Sequence, residues 1–210
     1  MYRILIAAVF WLGSATMAAA ANTAGPGRVA LDEFLQDLDT LQAKFEQSVL
    51  DTENAQTGLM HGLFLLDRPG RFRWNYVSPQ HQVIIADGRD VWFIEEDLKQ
   101  VTRHLQRWAL KNTPAAFLTM DADVEDDFEI IDIGERLGMQ WLELIPRDSD
   151  SDLNRVLLAF VGKELRHMEL ADKFGMISRF RFFDIERNVP IDGELFVFEG
   201  ADDWDVLQGD

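Results

Sequence analysis

The densest group of chemically capable side chains is the run Arg68-Pro69-Gly70-Arg71-Phe72-Arg73-Trp74-Asn75-Tyr76. Side chains alternate along a strand, so Phe72, Trp74 and Tyr76 share one face while Arg71, Arg73 and Asn75 share the other, solvated one. The chemistry on offer is non-covalent: broad aromatic surface on one side, guanidinium donors on the other. Across an Asp87-Gly88 turn, Val83, Ile84 and Ile85 and then Val91, Trp92, Phe93 and Ile94 add further apolar surface. Two arrangements stay open from these residues alone. The rings fill the core of a sandwich, or they line a concave sheet that is only partly filled, as in barrels that hold one ligand.

Covalent and metal chemistry find less support. His61, His81, His104 and His167 form no H-x-x-x-H pair, and the absence of Cys removes most zinc patterns. Each His is expected to face solvent or to be hydrogen-bonded locally. The acidic stretch Asp121 to Asp127 has the density of a calcium loop. It carries Asp126 and Asp132, however, where the sixth-position Gly and twelfth-position Glu should stand, and is expected to be an exposed connector. No G-x-S-x-G elbow, phosphate-binding loop or dinucleotide fingerprint is present, so no cofactor, metal or catalytic residue is expected. With 37 acidic residues a carboxylate pair could serve a hydrolase of a sugar or ester, but nothing marks one pair out.

The elements that must position these residues follow from periodicity. Leu31, Phe34, Leu35, Leu38, Leu41 and Phe45 recur at intervals of three and four and predict one amphipathic helix, with Asp32 and Glu33 at the positive end of its dipole. From about Gly58 onward, short β-rich runs separated by turn residues predict an antiparallel meander or barrel, with strands as far as 194–198. Between Gln106 and Asp127 that pattern stops, and Thr113 to Met120 predicts a short helix with Thr113 as N-cap and Pro114 at its first position.

Met1-Tyr2-Arg3, the apolar run Ile4 to Leu12 and the small residues through Ala21 have the form of a secretory signal peptide, too short to span a bilayer. Residues 1–21 are thus expected to direct export, with cleavage after Ala20 or Ala21, and 22–210 to form a single domain without stable membrane insertion. Removal of Arg3 leaves 19 basic residues against 37 acidic ones, a net charge of −18. That balance excludes nucleic acid as a partner and disfavours anionic lipid surfaces. A chain without Cys also lacks the residue on which bacterial lipoproteins are acylated, so it is not expected to be a lipoprotein itself.

The order helix, Phe45-Glu46-Gln47, Gly58 with an apolar strand, Arg68-Pro69-x-x-Phe72-x-Trp74, Asp87-Gly88-x-x-Val91-Trp92 and Asn112-Thr113-Pro114 resembles the periplasmic outer-membrane lipoprotein carrier family. The likeness runs from about Leu31 to Phe198. It implies a mainly β (α+β) fold, a half-open antiparallel β-barrel with a helical lid over an apolar cavity. It further implies a periplasmic monomer that takes the acyl chains of lipoproteins from an inner-membrane ABC transporter and hands them to an outer-membrane receptor lipoprotein. By matching positions, Arg68 is the latch that holds the lid through hydrogen bonds to its carbonyls, and Phe72 stands at the cavity mouth. Phe72, Trp74, Ile85, Trp92 and Leu142 are the expected acyl-chain residues. Leu31, Phe34 and Leu38 of the first helix, with Pro114, Phe117, Leu118 and Met120, are the expected lid. The stretch Glu199 to Val206 departs from the family's usual Pro-rich close followed by Gly-Val-Asp. A lipoprotein-sensing half-barrel module is the remaining alternative, disfavoured by the lack of an attached signalling segment.

Overall fold

A computed structural model describes residues 24–79, 81–111, 113–119, 123–200 and 204–209. The expected export segment, 1–21, and Met120 lie outside them. Helix α1 spans Pro26–Leu35 and is followed by β1 (Thr40–Leu50), β2 (Gln56–Asp67), β3 (Arg71–Ser78), β4 (Gln82–Asp87), β5 (Asp90–Glu95) and β6 (Gln100–Leu105). Three short helices, α2 (Gln106–Ala109), α3 (Pro114–Thr119) and α4 (Val124–Asp127), interrupt the strands. Then come β7 (Phe128–Arg136), β8 (Met139–Pro146), β9 (Leu153–Val161), β10 (Glu164–Asp172), β11 (Ile177–Arg187) and β12 (Asp205–Gln208).

The twelve strands form one sheet in the order β12-β6-β5-β4-β3-β2-β1-β11-β10-β9-β8-β7. Every pairing is antiparallel except β12 with β6, and the outermost strands do not pair with each other. The sheet is nevertheless strongly curved. β5 and β10 are six strand intervals apart, which in a flat sheet would separate them by roughly 29 Å at about 4.8 Å per strand. Phe93 of β5 and Met168 of β10 instead line one cavity. The result is an open barrel with its apolar core on the concave side.

The first helix is shorter than its apolar periodicity predicts. Its buried face is Gly27, Ala30, Leu31 and Phe34, and it ends at Leu35, where Gln36 is extended and Asp37 takes φ 53°. Leu41 and Phe45 belong to β1, where Leu41, Ala43, Phe45 and Gln47 alternate inward. The spacing Leu38, Leu41, Phe45 suits either period, and pairing of β1 with both β2 and β11 decides for the strand. Asp32 and Glu33 consequently fall in the second half of α1, not at its positive end. The acidic connector includes α4, capped by Asp123, whose carboxylate accepts the Glu125 amide at 2.9 Å. The predicted strand 194–198 is in fact a 3-10 turn, Gly193–Phe196, that packs on the outer face of the sheet.

Two glycines mark close approaches. A Cβ on Gly27 would stand 2.4 Å from the Trp141 carbonyl, so α1 lies directly on β8 because residue 27 has no side chain. A Cβ on Gly62 would stand 2.1 Å from the Asn75 carbonyl oxygen and 2.5 Å from the Phe45 ring, so both approach β2 closely because residue 62 has no side chain.

Candidate apolar binding cavity

Beneath α2 and α3 the concave face leaves a cavity of about 390 Å³, within the roughly 300–1,000 Å³ range of small-ligand sites. Its floor is Phe64 of β2, Phe72, Trp74 and Tyr76 of β3, Ile84 of β4 and Val91 and Phe93 of β5. Met168 and Leu170 of β10 and Phe180 of β11 close the far side, and Ala109, Leu110, Thr113, Ala115, Leu118 and Thr119 form the roof. Trp74 is the centre of the aromatic floor, with ring centroids 4.6 Å from Phe64, 5.0 Å from Phe45 and 5.2 Å from Phe180. Behind Trp74 and Leu118 lies a second void of about 20 Å³, walled by Phe34, Leu41, Phe182 and Ile185 among others.

Register decides which apolar residues reach this space. Opposite residues of an antiparallel pair share a face. Trp74 pairs with Ile84 and Ile84 with Phe93, whereas Arg73 pairs with Ile85 and Ile85 with Trp92. Ile85 and Trp92, expected in the cavity, therefore lie on the outer face. There Val83, Ile85, Ile94 and Val101 form a separate cluster with Trp92, covered by Phe198 and Trp204. Trp92 packs against Phe198 with ring centroids 5.2 Å apart and donates its indole N–H to Asp87 Oδ2 at 2.8 Å. Burial alone would raise the Asp87 carboxyl, but the N–H groups of Asp90, Trp92 and Arg89 together hold it below the usual range.

The face of Arg71 and Arg73, predicted to be solvated, is covered too. Arg71 sits over the Phe196 ring at 5.7 Å, and Arg73 donates to the Leu195 carbonyl at 3.1 Å. Leu142 is fully buried in the concave core yet does not line the cavity, because α1 occupies the space above β8.

The lid residues separate in the same way. Leu118 lines both voids, while Phe117 packs edge-on against Phe128 at 6.0 Å. Leu31, Phe34 and Leu38 are buried on the other half of the concave face and do not line the larger cavity. Pro114 is the first residue of α3. The Thr113 hydroxyl donates to the Leu110 carbonyl at 2.7 Å, and the Thr113 carbonyl, not the side chain, accepts from Ala116.

Around the roof, backbone groups of the β2–β3 turn form a junction. Gly70 donates its N–H to the Thr119 carbonyl at the end of α3, 2.7 Å away. The Gly70 carbonyl accepts from Gln106 Nε2 of α2 at 2.7 Å, and Gln106 Oε1 accepts from Gly88 at 3.0 Å. Two residues earlier, Arg68 Nη1 reaches the Leu35 carbonyl at the end of α1, at 3.4 Å. One turn of chain thus touches both helical covers.

Residues 36–199 match the family described as outer membrane lipoprotein carrier protein LolA. The chain belongs to that family. It is 38% identical over 178 residues to an outer-membrane lipoprotein carrier protein of Methylococcus capsulatus, covering 85% of this chain and 86% of the relative. A protein of the same name from Nitrosospira multiformis is 36% identical over 187 residues, covering 89% and 90%. An uncharacterized conserved protein of Thermus thermophilus shares the fold, with a TM-score of 0.57 at 12% identity over 87% of this chain and 98% of that one.

Within this LolA-family framework, three side chains that support the cavity are not among the site residues expected from the sequence. Gln106, 2% exposed, joins two β-turns to the roof. Gln47, 7% exposed, accepts from the Tyr76 hydroxyl at 2.8 Å and donates to Ser178 at 3.3 Å. Arg187 donates to the carbonyls of Phe34 and Lys163, both at 2.9 Å, and of Gln36 at 3.2 Å. Its guanidinium lies 5.4 Å over the Phe34 ring, and burial lowers its pKa. A polar residue inside the apolar pattern of β1 was the signal available for Gln47; the other two are set by contacts across the fold.

Proposed function

We propose that this LolA-family chain is a periplasmic carrier that shelters the acyl chains of lipoproteins in the cavity under α2 and α3. In this reading it is exported by residues 1–21, works as a single domain, collects cargo from an inner-membrane ABC transporter and delivers it to an outer-membrane receptor lipoprotein. The observation that carries it is the cavity itself: about 390 Å³ walled almost wholly by hydrocarbon and aromatic surface, beneath a roof of only two short helices. Among the described residues no helix is long and apolar enough to cross a membrane.

Energetics explain why such a cover is useful. Moving an acyl chain of about sixteen carbons through water costs on the order of 13 kcal/mol at about 0.8 kcal/mol per methylene. A carrier must replace most of that, yet a site that returned all of it would never release its cargo. A cover that closes favourably on the empty cavity offsets part of the binding and brings affinity into a range where transfer is possible. The β2–β3 turn is the proposed latch, since Gly70 bonds the end of α3 and Arg68 anchors the same turn to the end of α1.

The decisive measurement is whether the mature protein holds a triacylated lipoprotein soluble in a one-to-one complex without detergent, with the inner-membrane release machinery active. Lipoprotein left in the membrane fraction overturns the proposal. In the same transfer assay Arg68→Leu is expected to change loading or release, and unchanged transfer removes Arg68 from the latch.

A further inference from the structure

The β2–β3 turn holds the cover at one end of the barrel, and the other end of the cover has a contact of its own. α2 and α3 form a helical hairpin whose two feet, Gln106 and Thr119, both bond to Gly70. The tip between them carries Leu110, Lys111 and Thr113, and it is bonded to itself. The Leu110 amide donates to the Gln106 carbonyl at 3.0 Å and the Thr113 amide to the Leu110 carbonyl at 3.1 Å. Leu110 and Thr113 line the cavity, so the tip lies over it.

The tip meets the wall through a charge. Lys111 Nζ lies 3.2 Å from Asp148 Oδ2, in the turn between β8 and β9. That turn belongs to the end of the barrel away from Gly70. Its Asp152 carbonyl accepts the Lys173 amide of the β10–β11 turn at 3.0 Å. β11 starts there at Ile177 and ends at Arg187, which pairs with Leu41; Thr40 in turn pairs with Asp67, at the foot of the turn that holds Gly70.

The β8–β9 turn is a fixed partner. Asp148 Oδ1 accepts the Asp150 amide at 2.9 Å, the Asp148 carbonyl accepts from Ser151 at 3.2 Å, and the Lys173 ammonium donates to the Ser149 carbonyl. The carboxylate is therefore oriented before Lys111 reaches it. The pair itself is exposed, with 55% and 31% of the two side chains open to solvent. An exposed pair contributes little to stability and is weakened by salt. Such a tie suits an element that must open.

We propose that Lys111 and Asp148 form an ionic clasp at the tip of the cover, so that the end of the cavity away from Gly70 opens when salt or a competing charge breaks the pair. This rests on the carrier reading above and adds which end of the cover yields, and to what.

The chain has no Cys, so Trp108→Cys beside the tip and Asp150→Cys on the turn, both exposed, accept spin labels whose separation reports the clasp in the empty protein. Lys111→Gln and Asp148→Asn are each expected to raise the open fraction about two- to fivefold, the range of an exposed pair. Asn at 148 keeps an oxygen for the Asp150 amide. The double variant should open no further than either single one. Between roughly 0.01 M and 1 M salt the screening length falls from about 30 Å to about 3 Å, and the intact pair should open while the variants stay as they are. Uptake of 1-monopalmitoylglycerol should quicken by the same factor as opening. Unchanged separations in both single variants, additive effects in the double one, equal salt responses, or uptake that does not follow opening overturns the clasp. Failure of every form to bind the monoacylglycerol, with the separations responding as expected, overturns the acyl reading and leaves the clasp standing.

Discussion

Helix α1 and helix α3 cover two halves of one concave face, and they are held in opposite ways. α1 is secured at both ends. At its start the Arg28 amide donates to Asp132 Oδ2 at 3.0 Å and the Arg28 guanidinium pairs with Glu125. At its close Arg187 binds the Phe34 and Gln36 carbonyls, while Asn188 donates to Asp37 O at 2.7 Å and accepts from the Asp39 amide at 2.9 Å. α3 has six residues, fewer than an isolated helix needs to persist in water. Among the described residues its end is tied by the single backbone bond from Gly70 to Thr119. Below α1 the space is filled by Leu31, Phe34, Leu142 and Phe160; below α3 Phe117 packs on Phe128 and the remaining space is the cavity. The difference teaches where movement belongs. A cover that opens must have little to break, which makes α3 the element we propose to move and α1 the more firmly anchored of the two.

The sharpest way to break that comparison is to truncate one apolar residue on each side. Leu31→Ala, under α1, is expected to cost about 4 kcal/mol, because it opens a new void in a filled core. Ile84→Ala, whose side chain borders space that already exists, is expected to cost about 1.5 kcal/mol. Urea unfolding of both variants decides, and equal losses would mean that the two halves are packed alike.

Next is Arg187→Ala, which removes a charged donor from three carbonyls and a cation from the Phe34 face, for an expected loss of about 3 kcal/mol. A fall in melting temperature with fraying of Phe34 to Leu38 in hydrogen exchange is the signature. No change at these amides would show that α1 is not held through Arg187.

Gln106→Leu tests the other side. It leaves the Gly70 carbonyl and the Gly88 amide without their partner, at an expected cost of about 2 kcal/mol. Exchange should accelerate from Gly88 through Thr119 while α1 keeps its protection. Loss of protection in both helices together would make them one cooperative unit.

The smallest effect at neutral pH is expected from Tyr76→Phe, about 1 kcal/mol for the bond to Gln47. Its pH dependence is more telling. Burial raises the Tyr76 phenol above its usual value near 10, so above that pH the unfolded chain ionises first and stability falls as pH rises. The variant should show a shallower alkaline loss above about pH 10 in urea unfolding at stepped pH. An unchanged slope would place the phenol in a solvated setting.

Much of this could be read before folding was considered. The series of short strands follows from turn residues and alternation, and Phe72, Trp74 and Tyr76 do share the cavity floor. The hairpin after them was less legible, because Val83-Ile84-Ile85-Ala86 and Val91-Trp92-Phe93-Ile94 are apolar on both faces. A strand buried on both sides has no parity to follow. Its outer side is buried because Phe198 and Trp204, far along the chain, pack against it. Helical spacing carries the first helix too far for a related reason, since Leu38, Leu41 and Phe45 satisfy it while pairing on both edges makes Thr40–Leu50 a strand.

By itself, then, the sequence determined the acidic balance, the succession of strands, the helical break after Leu105 and the aromatic face of β3, because each depends on composition or on neighbours a few residues apart. Only the tertiary structure decided that Ile84 and Phe93, not Ile85 and Trp92, meet the cavity, since a face becomes interior through register and curvature. It alone brought Arg187 to carbonyls 153 and 151 residues away. Such contacts are made across the fold, and no local pattern records them.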